Sequence, residues 1–187
     1  MVKPILARAL AELIDLVPKV AQLEPTLQRL ADAMLGCWSK RGKVLIAGNG
    51  GSAADAMHFA EELAVRYQKD RRALAAVALC DPTVLTCAGN DFGYDRVFAR
   101  QIEALGNPGD IFIGMSTSGN SPNILLAIEE ARRRQMMTVA FLGKGGGKTK
   151  GLADLELIIP SDTTARVQEA HKLLFHVLCE WIDSKVD

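Results

Sequence analysis

The stretch Leu45-Ile-Ala-Gly-Asn-Gly-Gly-Ser-Ala-Ala-Asp-Ala-Met-His-Phe-Ala-Glu-Glu62 decides the reading of this chain. It has the form of a strand end, a glycine turn and the first turns of a helix. Gly48, Gly50 and Gly51 let the backbone reach positive φ and approach a ligand closely. Ser52 is placed as the helix N-cap, which would turn backbone N–H groups toward an anion. His58 and Glu62 follow two turns later, four residues apart and therefore on one face. A phosphate cradle, an imidazole and a carboxylate thus lie within about 15–20 Å along the chain, at ~1.5 Å per helical residue.

Working outward, two helices precede the first strand, one over residues 4–16 and one from Pro25 to about Trp38. Helices outside a βα repeat serve as oligomer elements or as a lid on the sheet, and the sequence leaves both open. Strands are expected at 43–47, 73–79, 110–115, 137–142 and 155–159. The first is followed by a helix to about Tyr67. Pro82 starts the next, which breaks at 90–94 and resumes over 95–105. Further helices run from Pro122 to about Arg134 and from Thr164 to about Asp183, with a short one expected after Thr149. The charged run 69–72 reads as a solvated loop. Apolar strands alternating with helices, without hairpin signals, imply an α/β fold with a parallel sheet covered on both faces. Ligands bind such sheets beyond the carboxyl ends of the strands, where GNGGS and STSGNS both fall. No linker or repeat divides the 187 residues, so one domain is expected.

Composition narrows the classes. Residues are 49% apolar, and 22 cations balance 22 anions, which argues against nucleic-acid binding by overall charge. Cys37, Cys80, Cys87 and Cys179 form no C-x-x-C pair and read as free thiols in a reducing compartment. No apolar run has the length of a membrane span. Near the N-terminus, Glu12 and Asp15 interrupt the pattern that Lys3 and Arg8 would need for a signal peptide. A cytoplasmic protein without membrane or nucleic-acid partners is expected.

Gly48-x-Gly50-x-x-Ala53 fits the dinucleotide fingerprint, but neither Asp70 nor Asp81 has both the spacing and the strand-end position of a ribose-binding acid. Gly143 to Thr149 ends like a P-loop yet encloses three residues between its outer glycines instead of four, so it reads as a flexible turn. Ser116, Thr117, Ser118 and Ser121 cluster between a strand and a helix. Such hydroxyls suit a phosphate monoester, and a helix cap without a ligand is the competing reading. His58, His171 and His176 lie in just two helices, near Glu62 and Gln168, a clustering that suits a metal or acid–base site.

The blocks GNGGSAADAMHFAEEL, GNDFGY, GDIFIGMSTSGNS and ARVQEAHKLLFH together resemble the phosphoheptose isomerases of the sugar isomerase (SIS) superfamily, in the same order over nearly the whole chain. The resemblance implies a three-layer α/β/α sandwich around a five-stranded parallel sheet of flavodoxin-like type, with extra N-terminal helices packing on it. It implies a homotetramer with sites at subunit interfaces. It also implies conversion of sedoheptulose 7-phosphate, a phosphorylated seven-carbon sugar, to glycero-manno-heptose 7-phosphate for nucleotide-heptose and lipopolysaccharide synthesis. By the same resemblance Glu62 and His176 are the catalytic pair, and His58, Glu62, Gln168 and His176 hold one zinc ion per subunit. Asn49, Gly50, Gly51, Ser52, Glu62, Asn90, Asp91, Ser116, Thr117, Ser118, Ser121 and Gln168 match substrate-contacting positions. Ala165 departs from relatives that carry an acid there.

The rival reading is a non-catalytic SIS protein that binds a replication initiator or another protein. Such relatives lack the Glu and the late His, and this chain has both. One spacing conflicts with the implied ligand set. Gln168 and His176 are eight residues apart, about 12 Å along a regular helix with directions differing by about 80°. Either that helix is irregular, or one ion takes Gln168 and His176 from different subunits.

Overall fold

A computed structural model describes residues 4–187; Lys3, counted above in the N-terminal segment, lies outside the described residues. The helices are α1 (Ile5–Val20), α2 (Glu24–Ser39), α3 (Gly51–Ala64), α4 (Pro82–Phe92), α5 (Val97–Leu105), α6 (Pro122–Arg133) and α7 (Thr164–Asp183). The strands are β1 (Val44–Gly48), β2 (Ala76–Ala78), β3 (Ile111–Ser116), β4 (Met137–Leu142) and β5 (Leu155–Ile158). They form one five-stranded parallel sheet in the order β2-β1-β3-β4-β5. The expected flavodoxin-like arrangement is therefore present.

Alternation along the strands sorts the helices into layers. Val44, Ile46, Ile111, Ile113, Val139 and Phe141 point to one face, where residues of α1, α2, α3 and α7 cover them. Leu45, Ala47, Phe112, Ala140 and Leu142 point to the other, against α4, α5 and α6. Both faces are buried, which is why β1 is apolar throughout and β3 is apolar up to Ser116. The chain leaves β1 toward β2 on one side and returns to β3 on the other. The crevice at the carboxyl ends of β1 and β3 is the switch point of the sheet.

Three expectations are corrected. The second strand is confined to three residues, because the backbone before it is bonded elsewhere: Leu74 N donates to Leu63 O and Arg72 N to Asp187 O. The helix after the glycine turn ends at Ala64 rather than near Tyr67, where Arg71 takes the carbonyls of Glu62 and Leu63. No helix follows Thr149; 3-10 turns fill Lys144–Thr149 and turns lead into β5, with Glu156 accepting from Gly151 N.

The two N-terminal helices divide the alternatives left open for them. α2 is the lid: Leu27, Leu30, Ala31, Met34 and Trp38 are buried on the sheet. α1 buries only Leu16 and Val20, and leaves Ile5, Leu6, Leu10, Ile14 and Val17 exposed.

Candidate active site

The glycine turn is tight for a local steric reason. A Cβ at Gly48 would meet the backbone of Ser52, and Gly50 holds φ +56°, a left-handed conformation that favours glycine. Gly50, not Ser52, is the N-cap of α3. Ser52 lies buried inside the first turn, its N–H donating to Asn49 O at 3.0 Å. The expected cap is thus corrected by two positions, to the glycine that holds the positive φ.

Asn49 is engaged by its own fold. Its amide and that of Asn123 exchange hydrogen bonds of 2.9 Å each way, and Tyr94 Oη donates to Asn49 Oδ1 at 3.0 Å. Asn123, in the first turn of α6, is buried, so this pair ties the β1 loop to the loop after β3. Asn90 and Asp91 sit at the exposed end of α4, Asn90 Nδ2 donating to Asp91 Oδ1 at 2.8 Å.

In the hydroxyl loop, Ser121 is the N-cap of α6 but its side chain does not cap the helix. Its Oγ instead lies 3.0 Å from Ser116 Oγ, which accepts from Gly119 N at 3.1 Å. Ser118 Oγ accepts from Asn120 N at 3.2 Å. The ligand-free cap is therefore not what Ser121 makes. The loop rests on residues 144–149, which are a platform rather than the flexible turn expected. Thr149 donates to Gly119 O through Oγ1 at 2.8 Å and N at 3.0 Å, and Lys148 N donates to Asn120 Oδ1 at 3.0 Å. Gly146 packs so closely beneath Gly119 that no side chain fits between them.

The third part lies between α3 and α7, which run side by side in the same direction. Gln168 packs on Gly51, Lys172 Nζ lies 3.2 Å from Asp55 Oδ1, and the rings of His58 and His176 meet at 5.2 Å. Positions 51, 55, 58 and 62 share one face of α3, and 168, 172 and 176 step along α7 by fours. Phe175 is edge-on to both imidazoles, at 5.2 Å and 4.6 Å, and locks them from the core side. His58 Nε2 is 3.0 Å from Glu62 Oε1. One ligand atom each from His58, Glu62 and His176 falls within 4.8 Å of the others. Burial pushes the His176 imidazole below its ordinary pKa; His58 and Lys172 add to this, while Glu62 and Asp55 oppose it. Two half-buried imidazoles and a carboxylate at this spacing are a donor set that suits a divalent metal, and equally an acid–base pair.

The expected site residues therefore fall into three groups: the glycine turn after β1, the hydroxyl loop after β3, and the α3–α7 seam, with Asn90 and Asp91 at the end of α4. α7 is uninterrupted, so the irregular-helix option is not realised. Gln168 sits two turns from His176, in a cleft of about 340 Å³ lined also by Gly51, Asp55, Ala165, Glu169 and Lys172. Asn123, Tyr94, Phe175, Tyr67 and Arg71 were not legible as site residues. Tyr67 stacks on His176 at 5.8 Å, and buried Arg71 holds Glu62 O at 2.9 Å while pairing with Asp183 Oδ1 at 2.7 Å. The only available signal was a tyrosine and a charge run just past the helix that carries Glu62.

Comparison with known proteins places this geometry. The SIS domain family matches residues 10–143. A phosphoheptose isomerase of Campylobacter jejuni is 50% identical over 170 residues, covering 88% of this chain and 91% of that protein. The structure of a phosphoheptose isomerase from Neisseria gonorrhoeae is 44% identical with a TM-score of 0.89, over 96% of this chain and 97% of that one. That of a phosphoheptose isomerase from Francisella tularensis is 38% identical with a TM-score of 0.92, over 96% of both chains.

Proposed function

Because the chain belongs to the SIS domain family and, within it, to the phosphoheptose isomerases, we propose that it converts sedoheptulose 7-phosphate to D-glycero-D-manno-heptose 7-phosphate. The observation that carries this reading is the meeting of Glu62, His58 and His176 between α3 and α7, on the helix that begins at the glycine turn. The protein-binding alternative is not favoured, because it has no use for that cluster.

The reaction moves hydrogen between C1 and C2 of an open-chain sugar through an enediol. Glu62 removes the proton from C1 and returns it to C2. His176, which burial biases toward its neutral form, carries the hydroxyl proton from O1 to O2. A neutral imidazole suits that shuttle, since it donates with one valence and accepts with the other. The hydroxyl loop, with Ser116, Thr117, Ser118 and Ser121, holds the remote phosphate, and that binding orients the reacting end. Asn49, Gly50, Gly51, Ser52 and Gln168 complete the wall on the glycine-turn side, and Asn90 and Asp91 complete the substrate set.

His58, Glu62 and His176 would hold one zinc ion per subunit; because α7 is regular, Gln168, the remaining ligand that the family resemblance implies, could join them only from a neighbouring subunit. When bound, zinc supplies charge that polarises the C2 carbonyl. The exposed apolar stripe of α1 supports a homo-oligomer, and we take it to be the tetramer. We take the chain to work as one domain in the cytoplasm. Free cysteines agree with that, and no helix of the described residues is long and apolar enough to cross a membrane.

The test is incubation with sedoheptulose 7-phosphate and identification of the product by NMR. Appearance of the aldose heptose 7-phosphate is expected; an unchanged ketose after prolonged incubation overturns the reading.

A further inference from the structure

The rows between α3 and α7 form a ladder with three rungs. At the top, Gln168 packs on Gly51 beside the glycine turn. At the bottom are His58, Glu62 and His176. The middle rung is Lys172 with Asp55, and the cleft of about 340 Å³ opens directly onto it. Asp55 is buried, with 7% of its side chain exposed, whereas 49% of the Lys172 side chain is exposed. The carboxylate is therefore an anchor, and the ammonium is the part of the pair that faces the cleft. Lys172 is also the one cation among the residues lining that cleft.

Geometry restricts what this cation can meet. Lys172 lies one turn, about 6 Å, from His176 and one turn from Gln168. In the proposed binding mode, with the reacting end at His176 and the far end toward Gln168 and the glycine turn, the middle carbons lie beside the Lys172 rung. An ammonium has three donors and no acceptor, and its ion pair with Asp55 at 3.2 Å holds it in place without using them all.

We propose that Lys172, held by Asp55, binds the mid-chain hydroxyls of the open-chain sugar and so selects substrates that carry them. This rests on the isomerase reading and names a specificity residue within it. Lys172 makes no bond change in the reaction; it fixes where the carbon chain lies between the phosphate and the reacting carbons.

Lys172→Met keeps the length of the side chain and removes its donors. Kinetics and calorimetric binding are measured with sedoheptulose 7-phosphate and with its 4-deoxy and 5-deoxy analogues. For the variant we expect KM to rise roughly 10- to 100-fold, the scale of a hydrogen bond from a charged donor, with kcat within about threefold. For one of the analogues, the native protein loses that same factor and the variant loses little, so their affinities converge. An unchanged KM, or equal discrimination against both analogues by both proteins, overturns the proposal. If the native protein binds the ketose but does not turn it over, the isomerase reading fails separately. The binding data then still decide on Lys172, and absence of any binding to the native protein overturns both.

Discussion

At the residue scale, two side chains make opposite demands. Glu62 must be able to take a proton beside His58, and 16% of its side chain stays exposed. Glu62→Gln retains size and hydrogen bonding but has no basic oxygen. We expect turnover to fall at least ~100-fold, the usual scale for loss of a general base, with an unchanged melting temperature. Near-normal turnover would remove Glu62 from the mechanism. His171, by contrast, is fully buried against Phe141, with its Nε2 3.2 Å from Leu142 O and its Nδ1 without a partner. Burial pushes its pKa down to about 4. The unfolded chain takes up this proton near pH 6.5 while the folded chain refuses it, so His171 favours the fold above that pH and the benefit is lost as pH falls toward 4. At ~1.4 kcal/mol per pH unit the loss is at most roughly 3 kcal/mol. Urea titrations of the native protein and His171→Phe between pH 7 and pH 4.5 check this: the native protein should lose more stability than the variant, and parallel losses would contradict it.

At the element scale, what was legible followed from local pattern, and what was not followed from distant partners. β4 was read to the residue, since an apolar run ending in glycine needs no further information. The charge run 69–72 looked solvated because its partner is 112 positions away: Arg71 is buried, donating through Nε to Asp183 and through its NH groups to the carbonyls of Glu62, Leu63 and Arg72. Asp183 also accepts from Gln68 N and Lys69 N. Although burial opposes ionisation, these donors hold its pKa below the ordinary carboxylate value. One ion pair thus fastens the end of α3, the segment bearing Tyr67 and the end of α7, which are the supports of Glu62 and His176. The glycine platform was misread for a similar reason, because glycines chosen for close packing look the same in sequence as glycines chosen for flexibility. Arg71→Met strands the Asp183 carboxylate in the interior and should cost about 3–5 kcal/mol in denaturant unfolding. Adding Asp183→Leu should recover part of that loss. If the single variant is as stable as the native protein, the pair is not the fastening described.

At the scale of the whole molecule, the outermost helix is the informative one. The stripe Leu6, Leu10, Ile14 and Val17 repeats at helical spacing, yet it faces outward, with Ile14 73% exposed. An amphipathic helix that turns its apolar side away from its own core is covered in solution by something, and in the proposed oligomer a second copy of the chain covers it. Replacing Leu10 and Ile14 with Glu should lower the sedimenting mass while leaving the sheet and its helices folded, because neither residue is buried in the chain. An unchanged mass would move the interface elsewhere. Spacing alone left open whether each site draws Gln168 and His176 from different chains. The structure brings His176 to Glu62 and His58 within a single chain, so this part of the site needs no neighbour. Mixed oligomers assembled from Glu62→Gln and His176→Ala subunits should therefore stay inactive, since each chain carries one damaged copy of the same cluster. Recovery toward a quarter or more of native turnover, in oligomers verified to contain both subunits, would show instead that Glu62 of one chain works with His176 of another.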